Sequence, residues 1–351
     1  MRNAGAAAPP TPAENVSVAL PVRDGGPLLD DVFEAIERQR VDRPVEVVMA
    51  DSGSTDGSRE LAIRHGVRVV DVPPAEFSHG GTRNLLMERT TGAHVAFLTA
   101  DAVPASDTWL AELLAGFDDA PDVGLVYGPY VPRAGASPMV RRELTEFFHA
   151  MSPSGGPRVD RGLGPGDRGP GKVAFYTDAN GCLSRRAWER VPYRPVTYAE
   201  DQLLALDMLA AGFAKVFRPK AAVVHSHDYP PLECFGRFFD EFRALREVYG
   251  HVEEVGPRYT PARVRGEVRR DRAFMVRDGW SGRQLERGTL SSLRFHALRA
   301  AGGALGSRAD RIPAPVRRIL SREGRASFDP VHFADPAGGS TDRRETAAVL
   351  D

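Results

Sequence analysis

The stretch Val45-Glu46-Val47-Val48-Met49-Ala50-Asp51-Ser52-Gly53-Ser54-Thr55-Asp56-Gly57-Ser58 decides the fold. Residues 45–50 are a short run rich in β-branched residues, the pattern of a buried strand. They close on a cluster of Asp, Ser, Thr and Gly, residues that turn the chain and cap a following helix. Upstream, residues 16–22 are another such run, ended by Pro21 and the turn-forming Asp24-Gly25-Gly26. Between the two, Leu28, Leu29, Val32, Phe33 and Ile36 recur at helical spacing, with Pro27 suited to a first helical turn. Downstream, a helix through Leu61 and Ile63 precedes strands over residues 67–72 and 95–99, the second ending near Asp101. This alternation predicts an α/β fold with a mostly parallel, doubly wound sheet. Ligands of such sheets bind at the carboxyl ends of the strands. Asp51 and Asp101 both stand there.

The 351 residues suffice for one large α/β domain with an extension. A formal net charge of −1 leaves no electrostatic footprint for nucleic acid, so none is expected as a partner. The two cysteines, Cys182 and Cys234, make neither a zinc pattern nor a disulfide framework, which fits a reducing cytoplasm. No apolar run approaches the roughly 18–20 residues of a membrane span. Residues 1–14 are Ala/Pro-rich and read as a disordered leader; residues 336–351 read as a disordered polar tail.

Residues 151–172, dense in Gly and Pro, are expected to form a long flap, with a strand resuming over 173–177. Leu203, Leu204, Leu206, Leu209 and Ala210 mark a helix, residues 216–224 the last strand-like runs, and Phe235 to Tyr249 an amphipathic helix. Beyond Gly256 the pattern is helical and Arg-rich.

Asp101 past one strand, and His225 and His227 past another, could share a divalent cation such as Mg2+ or Mn2+. Singly, Asp101 reads equally well as a turn or cap carboxylate and each His as structural. Their combination favours a metal. Glu200-Asp201 stands at the start of the Leu203 helix, as an acidic first turn or as a source of a base for a hydroxyl proton. A carboxylate pair also suits a glycosidase, but strand-end acids point toward nucleotide-sugar chemistry.

Together, residues 16–249 resemble the inverting glycosyltransferases of family 2, which have the GT-A fold. Val18-Ala19-Leu20-Pro21-Val22-Arg23-Asp24 looks like the family's opening strand, which implies that Pro21, Arg23 and Asp24 line the nucleotide pocket. Residues 51–58 are similar to the family signature D-[DS]-G-S-x-D-G-[ST]; the resemblance implies that Asp51 bonds the donor's base, with Ser52 and Gly53 beside it. Phe77-Ser78-His79-Gly80-Gly81-Thr82-Arg83-Asn84 resembles the H-G-x-x-R-N segment of the rhamnosyltransferase-like branch, implying His79, Arg83 and Asn84 near the donor. Thr99-Ala100-Asp101 occupies the place of the D-x-D metal motif, with Thr99 for its first acid, Ala100 on the donor side and Asp101 as ligand. Asp178-Ala179-Asn180-Gly181 resembles a segment that contacts donor sugar and acceptor, through Asn180 and Gly181. Ala199-Glu200-Asp201 looks like the E-D motif, with Asp201 as catalytic base and Glu200 beside it, and Val224-His225-Ser226-His227 like the late metal-binding His. The Q-x-x-R-W motif of polymerising members is missing after Asp201, which favours transfer of a single sugar.

The resemblance implies a GT-A catalytic domain over residues 15–250 and a helical C-terminal extension over 251–335. It implies an inverting transfer, dependent on Mn2+ or Mg2+, from a dTDP- or UDP-linked sugar, rhamnose or another deoxyhexose. The acceptor would be a carbohydrate, a lipid-linked sugar or a small molecule, in polysaccharide or glycoside biosynthesis. Thr99 keeps an alternative open: a nucleotide-sugar-binding protein of the same fold with impaired catalysis. Residues 290–320 alternate basic and apolar, as a packed helical extension does or as a helix on an acidic membrane surface does. The expected location is cytoplasmic, with a peripheral position at the inner face of the cell membrane left open.

Overall fold

Eight strands make the central sheet in the computed structural model, which describes residues 15–331 apart from Pro165, Gly166, Arg168 and Thr197. The expected leader, the tail and the last residues of the extension lie outside the described residues. β1 (Val16–Val22), β2 (Val45–Asp51), β3 (Arg68–Asp71) and β4 (His94–Leu98) run parallel in the order β3-β2-β1-β4. Helices α1 (Leu28–Glu37), α2 (Ser58–Arg64) and α3 (His79–Arg89) make the crossovers. The chain winds from β1 to β2 and β3 on one side, then returns to β4 on the other. The ends of β1 and β4 therefore flank a topological switch point. Side chains alternate across β1: Val16, Val18, Leu20 and Val22 join the core under α1 and α2, while Ala19 joins the core under α3.

The second half of the sheet departs from a plain parallel winding. β9 (Asn180–Ser184) runs antiparallel between β4 and β6 (Val123–Tyr127). β10 (Ala214–Phe217) is parallel to β6, and β8 (Arg158–Arg161) is antiparallel at its edge. β8 lies within the segment expected to be an irregular flap. Residues 173–177, expected as a strand, form a turn and irregular backbone. Their apolar character serves burial instead, with Ala174 and Tyr176 wholly enclosed. The fully buried Lys215 ammonium explains the lost ladder, because the carbonyls of Lys172, Val173 and Phe175 turn toward it.

A small second sheet joins β5 (Val103–Pro104), β7 (Tyr130–Val131) and β11 (Val223–Val224) in the order β5-β11-β7. α4 (Trp109–Ala115) covers one face of the main sheet, and α6 (Arg185–Arg190) and α7 (Glu200–Ala210) the other. The C-terminal region is helical. α10 (Gly282–Gly306) packs along α8 (Pro231–Tyr249) and α9 (Tyr259–Arg277), α5 (Pro138–Met151) packs on α9, and the short α11 (Ala314–Leu320) touches α8. Gly302, Gly303 and Gly306 let α10 approach α8, since a Cβ on Gly302 would come within 2.7 Å of the Phe235 carbonyl oxygen.

Candidate active site

The loops after β1 and β2 are lashed to each other by the residues of the signature. Asp24, in the left-handed region at φ 48°, accepts the Thr55 amide at 2.7 Å, and its own amide donates to Ser54 Oγ at 3.0 Å. Gly25 N donates to Ser58 Oγ at 2.9 Å and Gly26 N to Asp56 Oδ2 at 2.9 Å. Asp51, 5% exposed, accepts the Ser54 amide at 3.0 Å, while Ser52 bonds the Val22 carbonyl. The sharp turn at Gly53 (φ 87°) suits a residue without a Cβ. Ala100 abuts the same corner: a Cβ on Gly25 would lie 3.2 Å from the Ala100 methyl. Pro21, Arg23, Asp24, Asp51, Ser52, Gly53 and Ala100 are thus gathered at the carboxyl ends of β1, β2 and β4, with Arg23 exposed.

Asp101, three residues past β4, meets two imidazoles carried past β11. His225 Nδ1 is 3.5 Å from Asp101 Oδ1, and His227 Nε2 is 3.1 Å from Asp101 Oδ2. Pairing of β11 with β7 places them, and the His225 amide extends it by donating to the Val131 carbonyl at 3.0 Å. Thr99 Oγ1 donates to Asp101 Oδ1 at 2.9 Å, so the residue in place of the first acid orients the second. Arg133 clips the site together, bonding the carbonyls of Asp101 and Ser226. Burial pushes the His225 imidazole down to about 4 and also lowers His227, so both are neutral near pH 7. Burial works against ionised Asp101, but His225, His227, Thr99 and Arg133 hold its carboxyl below the usual range. His225 Nδ1 is buried and makes no hydrogen bond, and one ligand atom from each residue falls within 4.8 Å of the others. A carboxylate and two neutral imidazoles, one with an orphaned nitrogen, fit a divalent cation.

A second cluster sits at the start of α7. Ala199, directly before it, holds φ 57°, a conformation that costs a non-glycine residue about 1 kcal/mol or more. That turn sends Glu200 inward and leaves Asp201 partly open to solvent. Arg83 Nη1 bonds Glu200 Oε1 at 2.8 Å, and Arg83 Nε lies 2.9 Å from Asp178 Oδ2, too bent for a hydrogen bond. The Tyr193 hydroxyl donates to Asp178 Oδ1 at 2.7 Å. Three carboxylates thus stand near one guanidinium, and only Asp178 and Glu200 pair with it. Asp201 keeps only the Gln202 amide at 2.8 Å, and among the described residues no cation lies within 4.0 Å of it. Close packing by protein and the charges of Glu200 and Asp178 push the Asp201 carboxyl well above the usual range. Asp178 is pushed up to about 6, chiefly by burial. Tyr130 lies between the two clusters. Its ring is edge-on to His225 at 4.8 Å, and its phenol, raised first by burial, feels Asp201, Asp178 and Asp101.

Several residues expected to touch a ligand are committed to the protein. Asn84 donates to the Tyr193 carbonyl at 2.9 Å and accepts from Trp188 Nε1 at 2.8 Å and the Tyr193 amide at 3.0 Å. Asn180, wholly buried, accepts from Trp109 Nε1 at 2.7 Å and donates to the carbonyls of Pro129 and Ala221. Gly181 packs against Tyr176 with no room for a Cβ. Arg83 and Glu200 hold each other. His79 opens α3, half-buried, with its ring edge-on to Phe77 at 5.2 Å. Asp178, Tyr130, Arg133 and Tyr193 were not singled out from sequence. Asp178 had a signal, two residues before Asn180 in a matching segment; Arg133, after a two-residue strand, had none.

The chain matches the model of the family described as glycosyl transferase family 2 over residues 17–186. It is 30% identical over 229 residues to the O-antigen chain rhamnosyltransferase RfbN of Salmonella typhimurium, covering 64% of this chain and 70% of that one. It is also 30% identical over 213 residues to the O-antigen chain rhamnosyltransferase WbaN of Salmonella anatum, covering 59% and 64%. Among solved structures, one similar chain is the mannosyltransferase PcManGT of Pyrobaculum calidifontis with GDP-Man and Mn2+ (TM-score 0.45, 20% identity, 90% of this chain and 81% of that one). Another is the glucosyl-3-phosphoglycerate synthase of Mycobacterium tuberculosis with Mn2+, UDP-Glc and phosphoglyceric acid (TM-score 0.45, 22% identity, 69% and 81%). The sequence matches are what assign the family: the chain belongs to glycosyltransferase family 2, with the GT-A fold, and is a glycosyltransferase.

Proposed function

We propose that this chain transfers a single sugar, with inversion, from a nucleotide-diphosphate donor to an acceptor hydroxyl, with Asp201 as the base. The observation that carries the reading is the division of labour around Arg83. Its guanidinium engages Asp178 and Glu200, leaving Asp201 partly open with raised proton affinity. A carboxylate of that kind accepts a hydroxyl proton more readily than an ordinary one. Arg83, Asp178 and Tyr193 orient the start of α7, and Asp51 with the lashed loops after β1 and β2 holds the nucleotide. Asp101, His225 and His227 would hold a divalent cation, Mn2+ or Mg2+. Such an ion, when bound, supplies positive charge for a departing diphosphate. Asp201 then draws the proton from the acceptor oxygen as that oxygen attacks the anomeric carbon from the face opposite the diphosphate.

The rhamnosyltransferase relatives and the H-G-x-x-R-N segment support dTDP-rhamnose or another deoxyhexose donor, with a glycan acceptor in surface-polysaccharide or glycoside synthesis. Thr99 weighs against the catalytically impaired alternative, because its hydroxyl orients Asp101 rather than removing a ligand from it. The test is release of nucleoside diphosphate from dTDP-rhamnose and UDP-hexoses with a panel of glycoside acceptors, with Mn2+ and with EDTA. Acceptor-dependent release that EDTA abolishes, giving a product of inverted anomeric configuration by NMR, is expected. Metal-independent release or a retained configuration would overturn the reading.

A further inference from the structure

Residues 321–326 follow α11 and cross back over α8 toward the site. Gly236 of α8 makes room for them, since a Cβ there would lie 3.0 Å from the Arg322 amide nitrogen and 3.1 Å from its Cβ. Two side chains of α8, each 1% exposed, fasten the segment. Asp240 accepts the Glu323 amide at 3.2 Å, and Arg243 donates to the Arg325 carbonyl at 3.2 Å. Arg317 adds a third tie to the Ala326 carbonyl at 2.7 Å. Backbone held at three points positions its side chains more sharply than a free terminus would.

Those side chains reach the two clusters of the site. The Arg322 guanidinium sits 4.8 Å from the centre of the Tyr229 ring, and that ring stacks on His227 at 5.4 Å and 13°. Arg237 of α8 and Arg325 lie 5.8 and 5.4 Å from the ring centre of Tyr198, three residues before Asp201. The acidic partners of Arg322 and Arg237 hold them weakly. Arg322 meets Glu233 through Nε alone, at 3.4 Å in an exposed pair, and Arg237 Nη1 lies 3.4 Å from Glu241 yet makes no hydrogen bond although the atom is buried. The exposed Arg322–Glu233 pair contributes about 0–1 kcal/mol, so an incoming oxyanion can displace that carboxylate. A guanidinium laid over an aromatic ring keeps its N–H edge free for a tetrahedral oxyanion.

We propose that Arg322, over Tyr229, and Arg237, over Tyr198, form a phosphate-binding subsite next to the Asp101/His225/His227 centre, assembled only when residues 321–326 lie on α8. Its place between a cation site and a base rests on the function proposed above; its ligand chemistry does not. The oxyanion is a phosphate or diphosphate, from the donor's leaving group or from a phosphate carried by the acceptor.

Isothermal titration of the full chain with inorganic pyrophosphate in EDTA, where no turnover or metal bridging occurs, tests it. Arg322→Gln and Arg237→Gln should each weaken binding roughly tenfold relative to wild type. Arg141→Gln, a surface control paired with Asp278, should leave it unchanged, and circular dichroism should show all three folded. A repeat with saturating dTDP separates the sources: displaced pyrophosphate marks the donor's diphosphate, persistent binding marks an acceptor phosphate. Absent binding to wild type, or equal affinity in wild type and both variants, overturns the subsite. Failure of Asp201 as base would leave these titrations unaffected, so the two readings fail separately.

Discussion

Asp201 and Glu200 are neighbours in sequence with opposite surroundings. Glu200 is closed onto Arg83 inside the protein, whereas Asp201 looks out without a cationic partner among the described residues. Glu200→Gln should therefore act mainly on stability. Removing one partner of a buried ion pair costs about 3–5 kcal/mol, which urea unfolding would register. Asp201 predicts a pH effect instead. Only the deprotonated carboxylate can act as base, and its proton affinity is raised, so transfer should fall as pH drops through a pKa well above 3.8. An acid limb of kcat centred at the ordinary carboxylate value would contradict this. The pair was legible in the sequence as a motif, but the division between its members was not. It is made by a guanidinium 117 residues away and by a strained Ala199 that no propensity announces.

Among the elements, β9 shows what a segment match can and cannot tell. Asn180 and Gly181 resemble ligand-contacting residues, yet in the strand they close the sheet. The Asn180 amide joins α4, through Trp109, to the carbonyls of Pro129 and Ala221. Asn180→Ala would leave that indole N–H and the Ala221 carbonyl unsatisfied in the core, while the Pro129 carbonyl keeps the Val223 amide. A loss of about 3 kcal/mol in urea unfolding is expected, from about 1–3 kcal/mol for each buried polar group abandoned. A change below about 0.5 kcal/mol would return Asn180 to a ligand-facing role. The first four strands were legible because each is an apolar run between turn formers. Residues 173–177 misled because burial of Tyr176 and the demand of Lys215 for carbonyl oxygens produce the same apolar signature without a ladder. β8 and β7 are too short or too polar to carry a period at all.

At the scale of the molecule, the sheet brings together groups that the chain keeps apart: Asp101 after β4, His225 and His227 after β11, Asp201 at the head of α7. Strand–helix alternation made the parallel half legible, but periodicity carries no strand direction, so the antiparallel insertion of β9 was not. His225→Ala should weaken Mn2+ binding at least tenfold in a titration followed by electron paramagnetic resonance, with unfolding little changed, because its Nδ1 bonds nothing in the protein. Unchanged Mn2+ affinity would remove the cation from Asp101 and the two histidines. The decisive comparison is Asp201→Asn against wild type, with donor affinity by titration and sugar transfer followed side by side. Donor affinity within twofold of wild type and transfer reduced about 10²–10⁴-fold are expected for loss of a general base. Transfer near the wild-type rate, with the donor bound normally, would contradict the assignment of Asp201 and the mechanism built on it.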